Sequence, residues 1–338
     1  MDINRTLFLF LTTMCAFITL SCNKEQEGDK INAASTLSVG FQNSPSMALL
    51  MVAQEKNFFV SRGVNVEMKE FTAGKFALQA FLGGSLDIAI SGEVPVALSI
   101  LQGNQFKVIG QVVERTVNEC RVVARKEGTI TEAKLYFSKK GRKLATSFGG
   151  GPEFFTYNFF NKISIKESEI EIISQKPEDM PATLLSGSVD AIAIFDPFAK
   201  IAELQLGNKG ITFTLDDIYS ELYVIDVKQK TIDEKRELLS SFLKGLYDAQ
   251  LFIADNPVES KKILMKYTKL DKIIIDEIWG DFVFKLCINQ LFLDYTSAEA
   301  KWSISKENGT KNRNIPNYRD ILYTDLLKEV DSSLVKIK

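Results

Sequence analysis

The chain has 338 residues, 45% of them hydrophobic and 25% charged, with a formal net charge of −2. That length suits two domains of ordinary size, the composition is that of a globular protein, and the charge balance gives no sign of nucleic acid as a partner. The absence of histidine excludes Ser-His-Asp and Cys-His nucleophiles and the common His-based zinc sites, and it removes the usual proton shuttle near neutral pH.

Residues 7–20 are apolar or Thr, about the length of a signal-peptide core and too short to span a bilayer comfortably. Arg5 precedes them, weakened by Asp2. The run ends Thr19, Leu20, Ser21, Cys22, which resembles a bacterial lipobox with Cys22 as the lipidated first mature residue. Thr19 stands where Leu is usual, and plain cleavage or an uncleaved anchor is the alternative. Residues 1–22 thus read as a lipoprotein signal and the polar stretch 23–35 as a flexible tether. Cys120 and Cys287 lie in apolar settings. Free buried thiols and a disulfide between them both remain open, and with no CxxC pair neither a metal nor a cofactor is expected.

From Thr36 the elements alternate. Residues 37–41 read as a strand, Ser44, Pro45 and Ser46 as a cap and first turn, and 47–56 as a helix ended by Asn57. Val64, Val66 and Met68 alternate with polar residues, a half-buried strand. Residues 72–74 open a helix, and 86–90 and 106–113 are strands. Residues 120–124 form a strand leading out of the first lobe, and 143–147 begin the second. SFGGGP (147–152) is a glycine-rich turn before a helix over 153–161. A strand at 170–173, a helix at 177–185 and a strand at 189–194 follow, and 221–227 reads as a return strand. This alternation predicts mainly parallel sheets flanked by helices. The remaining third reads as helical: Leu239, Phe242, Leu243, Leu246 and Phe252 keep one apolar face, Pro257 starts a further helix, and Thr296 with Glu299 forms a capping box.

Two stretches echo each other, LGGSLDIAISGEVPVA (82–97) and LSGSVDAIAIFDPFA (185–199). Gly84 and Gly187 suit the left-handed position that ends a helix, and Pro95 and Pro197 suit helix starts. Chance likeness of two βα units is the alternative. The repeat predicts two α/β lobes facing one gap, with residues 36–122 plus 225–338 as a discontinuous first lobe and 123–224 as the second, joined by two crossings.

GFQNSPS (40–46), VAQEKNFF (52–59), GGSLDIAISGEVP, GSVDAIAIFDPF and the tail IPNYRDILYTDLL (315–327) form one ordered pattern. It resembles the solute-binding proteins of ABC importers for aliphatic sulfonates, taurine, nitrate and thiamine-type pyrimidines, from Thr36 to about Lys328. The resemblance implies a type II periplasmic-binding fold with two hinge crossings and a ligand in the cleft. It implies a non-enzymatic, monomeric, extracytoplasmic protein, held at the membrane only through Cys22. Such a protein captures a small polar organic ligand by cleft closure and delivers it to permease and ATPase subunits. The chain has Phe195, Asp196, Pro197 where many members have Trp-Glu-Pro, Asn57 where Gly is usual, and SFGGGPE in place of a Gly-Ser turn, which leaves the ligand open. A pyrimidine-synthesis enzyme shares the fold but depends on histidine and a cysteine-rich segment. A surface lipoprotein without a transport role is the third reading.

Four turns are expected to aim helix N-termini at the cleft: 42–46, 72–74, 91–93 and 147–151, each a potential anion site. The expected ligand set is Gln42, Asn43, Ser44, Ser46, Thr72, Ser91, Gly92, Glu93, Ser147, Phe148, Gly149, Gly150, Phe195 and Asp196. The hydroxyls either donate to a ligand or cap their own helices. The glycine turn lacks the Lys-Ser/Thr of a phosphate loop. Glu93 and Asp196 would occupy related places on opposite lobes. As caps, each gains about 0.3–1 kcal/mol from its helix; facing the cleft, they would ask for an amine, as in a zwitterion or an aminopyrimidine. Phe148 and Phe195 either stack on a ring or pack in the core.

Overall fold

A computed structural model describes residues 35–115, 120–215, 219–306 and 314–337. The lipobox, Cys22 and nearly all of the tether lie outside the described residues. In chain order the strands are β1 (Thr36–Gln42), β2 (Asn65–Phe71), β3 (Ile88–Gly92), β4 (Lys107–Arg115), β5 (Cys120–Arg125), β6 (Lys143–Thr146), β7 (Glu171–Ser174), β8 (Ala191–Phe195), β9 (Gly210–Phe213), β10 (Glu221–Val227), β11 (Phe282–Asn289) and β12 (Val335–Lys336). They form two sheets, one ordered β12-β11-β4-β10-β3-β1-β2 and the other β7-β6-β8-β5-β9.

The expected two-lobed α/β architecture is present, but the sheets are mixed rather than mainly parallel. Pairings β1–β2, β1–β3, β6–β7 and β6–β8 are parallel, each reached through a helical crossover. β10 runs antiparallel to both β3 and β4, and β5 antiparallel to both β8 and β9. These are the strands that follow the two crossings, and a chain arriving from the other lobe enters its new sheet from the opposite end. β5 pairs over its length in the second sheet and β10 in the first, so Cys120–Val122 lie with the second lobe's sheet and Glu221–Val224 with the first's.

Each sheet carries its own core. Leu37, Val39, Phe41, Ile88, Ile90 and Ile225 are wholly buried in the first, where Phe59 stacks on Phe242 at 5.1 Å. Phe137, Phe159, Phe160 and Phe213 interlock in the second. At about 1.5–3 kcal/mol for each fully buried Phe, the ring clusters are a main source of lobe stability. Gly84 and Gly187 take φ of +87° and +81°, and Asn57 takes 58°, as their places after helices require. Cys120 and Cys287 are buried and form no disulfide among the described residues. No helix of the described residues is long and apolar enough to cross a membrane.

Two expectations for the last third are corrected. Residues 282–289 are not helical but form β11, antiparallel to β4, with Phe282, Leu286 and Ile288 turned into the core. Thr296 and Glu299 are not a capping box, because both lie inside one helix, Gln290–Lys306. Thr296 Oγ1 donates to the Phe292 carbonyl at 2.7 Å, and Glu299 is wholly buried.

Candidate functional site

Three helices start at one point between the lobes. Gly74–Leu82 and Glu93–Leu101 belong to the first lobe and Gly151–Lys162 to the second. Gly74, the cap residue Gly92 and Gly151 at these starts line a cavity of about 20 Å³, together with Gln42, Ser147, Phe195 and Tyr223. A volume of roughly 10–15 Å³ holds one water, so the lobes are closed around little more than that. The dipoles of these helices bring partial positive charge to the cavity, which the Glu221 carboxyl in its lining opposes.

Gln42, at the end of β1, organises the first-lobe wall. Its Oε1 accepts from the Gly74 N–H at 3.1 Å and from the Tyr223 hydroxyl at 2.9 Å. That bond from β1 satisfies an N–H of the helix start, which is why Ala73 can hold the N-cap position without a side-chain cap. Thr72, expected as a ligand contact or else a cap of this helix, is exposed and does not line the cavity.

Lys75, the second residue of the same helix, is the cation of the site. Its ammonium crosses the cleft and donates to Ser147 Oγ at 2.8 Å and to the Phe148 carbonyl at 2.6 Å. Burial lowers its pKa, partly opposed by Glu153 and Glu178. The buried carboxylate of Glu221 also lines the cavity. In the second-lobe turn, Gly149 N–H donates to Glu153 Oε2 at 2.7 Å, and Lys306 of the first lobe pairs with Glu153 Oε1 at 2.9 Å.

Of the expected ligand set, Gln42, Gly92, Ser147, Gly150 and Phe195 line the cavity. The others are placed elsewhere. Asn43 donates to Glu70 and to the Tyr267 carbonyl. Ser44 and Ser46 are buried beside the 3-10 turn that follows β1, and no partner for the Ser44 hydroxyl is present among the described residues. Ser91 Oγ donates to Asp226 at 2.5 Å, and burial keeps that carboxyl well above the ordinary range. Phe148 is 42% exposed. Gly149 adopts φ +76° within the turn.

Glu93 and Asp196 occupy related positions after β3 and β8, yet their carboxyl groups serve other partners. Glu93 accepts from the Tyr219 hydroxyl at 2.9 Å and the Leu222 N–H at 2.7 Å, on the segment entering β10. Burial raises its pKa to about 7. It lies against Glu299, which burial and the Glu93 charge hold well above the carboxylate range. No N–H or hydroxyl among the described residues reaches the Glu299 oxygens, so the contact is carboxyl to carboxyl and is satisfied by a shared proton. For Asp196, burial would raise the pKa, but Arg121 and Arg115 more than offset it and hold the group charged. Arg121 grips Asp196 with two bonds of 2.8 Å, and Arg115, at the end of β4 in the other lobe, adds one of 2.7 Å. Asp281 and Glu203 complete this cluster.

The residues that sequence reading missed are Lys75, Tyr223 and Glu221. Tyr223 and Glu221 lie on the predicted return strand, where alternation offered a signal; Lys75 offered none beyond its place one residue after a predicted helix start.

A family profile described as NMT1/THI5 like matches residues 44–260. A Bacillus subtilis (strain 168) protein, provisionally named as aliphatic sulfonates-binding, is 22% identical over 275 residues, 80% of this chain and 81% of its own length. The periplasmic aliphatic sulphonate binding protein of Escherichia coli superposes with a TM-score of 0.71 at 19% identity, covering 86% of this chain and 98% of that one. The periplasmic nitrate-binding protein of Synechocystis PCC 6803 gives 0.66 at 17% identity, with 89% of each chain covered.

Proposed function

The chain belongs to the NMT1/THI5-like family, and from that premise we propose that it is the extracytoplasmic solute-binding component of an ABC importer. In this reading it is a non-enzymatic monomer held at the membrane by lipidated Cys22. It captures a small polar organic compound, a sulfonate, a nitrate-like anion or a pyrimidine, and hands it to permease and ATPase subunits. The observation that carries the reading is the convergence of three helix N-termini, from both lobes, with the Lys75 ammonium on one interlobe cavity. A ligand that touches both lobes at once stabilises the closed form over the open one, and closure follows as a population shift. Gln42, Lys75, Gly92, Ser147, Gly150, Phe195 and Tyr223 form the proposed contact set.

Protein lacking residues 1–22 should show a large thermal shift with at least one compound from a panel of sulfonates, nitrate, pyrimidines and amino acids. No shift with any of them, together with catalytic turnover of one, would overturn the proposal.

A further inference from the structure

Lys75 joins the two lobes at the cavity itself. It is carried on the first-lobe helix Gly74–Leu82, and both oxygens it reaches, Ser147 Oγ and the Phe148 carbonyl, belong to the second-lobe turn. Its stem lies along Gly150, where an added Cβ would meet Lys75 Cδ at 4.0 Å, and its ammonium stands 5.1 Å from the Phe76 ring centroid. With about 20 Å³ of free space, the cavity admits an organic molecule only if these cross-cleft bonds break.

We infer that Lys75 couples the charge of the ligand to lobe closure, bridging the lobes through neutral oxygens and serving as counter-ion to an anionic ligand. The inference rests on the binding function proposed above. An ammonium has three donors, and Ser147 and Phe148 take two. Both direct acceptors are uncharged, and Glu153 and Glu178 act on the ammonium only at longer range, so a directly bonded negative charge is favoured over either neutral oxygen. A bond to an anion is roughly twice as strong as one to a neutral acceptor. Exchanging the Phe148 carbonyl or Ser147 Oγ for an anionic oxygen therefore gains free energy, whereas exchanging either for a neutral oxygen gains little. Ser147 accepts from Lys75 through a lone pair, so its O–H can donate to the same anion. Lys75 in this way makes closure selective for charge.

The test compares wild type, Lys75→Gln and Lys75→Arg, each lacking residues 1–22. Calorimetry is run with methanesulfonate, nitrate, dimethyl sulfone as the neutral isostere of methanesulfonate, and an aminopyrimidine, and scattering is recorded without ligand. Lys75→Gln should lose about ten- to a hundred-fold in anion affinity, leave the weak binding of dimethyl sulfone unchanged, and show a larger radius of gyration without ligand. Lys75→Arg should restore most of the discrimination between charged and neutral. Equal anion affinity in wild type and Lys75→Gln would overturn the inference and leave the binding function standing. Binding of the pyrimidine with no binding of either anion would do the same. Binding of none of the four by the wild type would overturn the inference; the binding function falls only if the wider panel also gives no thermal shift and one of its compounds is turned over.

Discussion

The buried carboxyl pair offers the sharpest test of the reasoning about the second crossing. Glu299→Gln keeps the shape of the side chain and removes one acid from the contact with Glu93. In wild type, burial raises Glu93 from 4.5 to about 7. The folded protein thus holds a proton at this pair more tightly than the unfolded chain does. The resulting stability is fully present below about pH 4.5 and is lost as pH rises through about 7. At about 1.4 kcal/mol per pKa unit the Glu93 shift is worth roughly 3 kcal/mol, on the order of 5 °C in melting temperature for a chain of this size, and burial keeps it in the variant; Glu299, held well above the carboxylate range, adds a loss of the same sign that Glu299→Gln removes. Asp226, also raised by burial, adds a slope of the same sign, so the informative quantity is the difference between wild type and variant. Calorimetric melting from pH 5 to pH 8 should show the wild type falling more steeply than Glu299→Gln. Parallel profiles for the two proteins would refute the shared-proton account.

Asp196→Asn removes the buried carboxylate that Arg115 and Arg121 share, leaving Arg115 with Asp281 and Arg121 with Glu203. It should cost about 1–3 kcal/mol, read by denaturant unfolding, and leave ligand affinity of the folded protein unchanged. Gly151→Ala would place a Cβ 2.2 Å from the Tyr219 hydroxyl oxygen, which is itself tied to Glu93. Overpacking of about 1–3 kcal/mol is expected, and a variant as stable as wild type would contradict the packing described here. Thr72→Ala, at an exposed position, should alter stability by less than about 0.5 kcal/mol and leave affinity unchanged in the same titrations.

The architecture was legible because its signals are local. Gly84 and Gly187 mark helix ends through a backbone conformation that glycine adopts freely, and the apolar runs after them are strands of buried length. β11 was not legible, because FVFKLCIN lies among helical segments and becomes a strand only by pairing with β4, some 170 residues earlier in sequence. The site was half legible for the same reason. The turns after β1, β3 and β6 could be found from their residues, but side-chain direction could not. Glu93 and Asp196 were visible as matched acids, whereas their partners, Glu299 and Arg115, come from remote elements. Lys75 looks in sequence like any lysine near a helix start, and only the closed fold shows its ammonium meeting Ser147 across the cleft.

The central claim is that one ligand site is built jointly by three helix N-termini from two lobes. Residue-resolved amide exchange tests it most directly, with and without the compound that gives the largest thermal shift. The account predicts added protection at Gly74 and Lys75, at Gly92 and Glu93, and at Gly150 and Gly151 together. Protection confined to one lobe, or centred away from these starts, would contradict it.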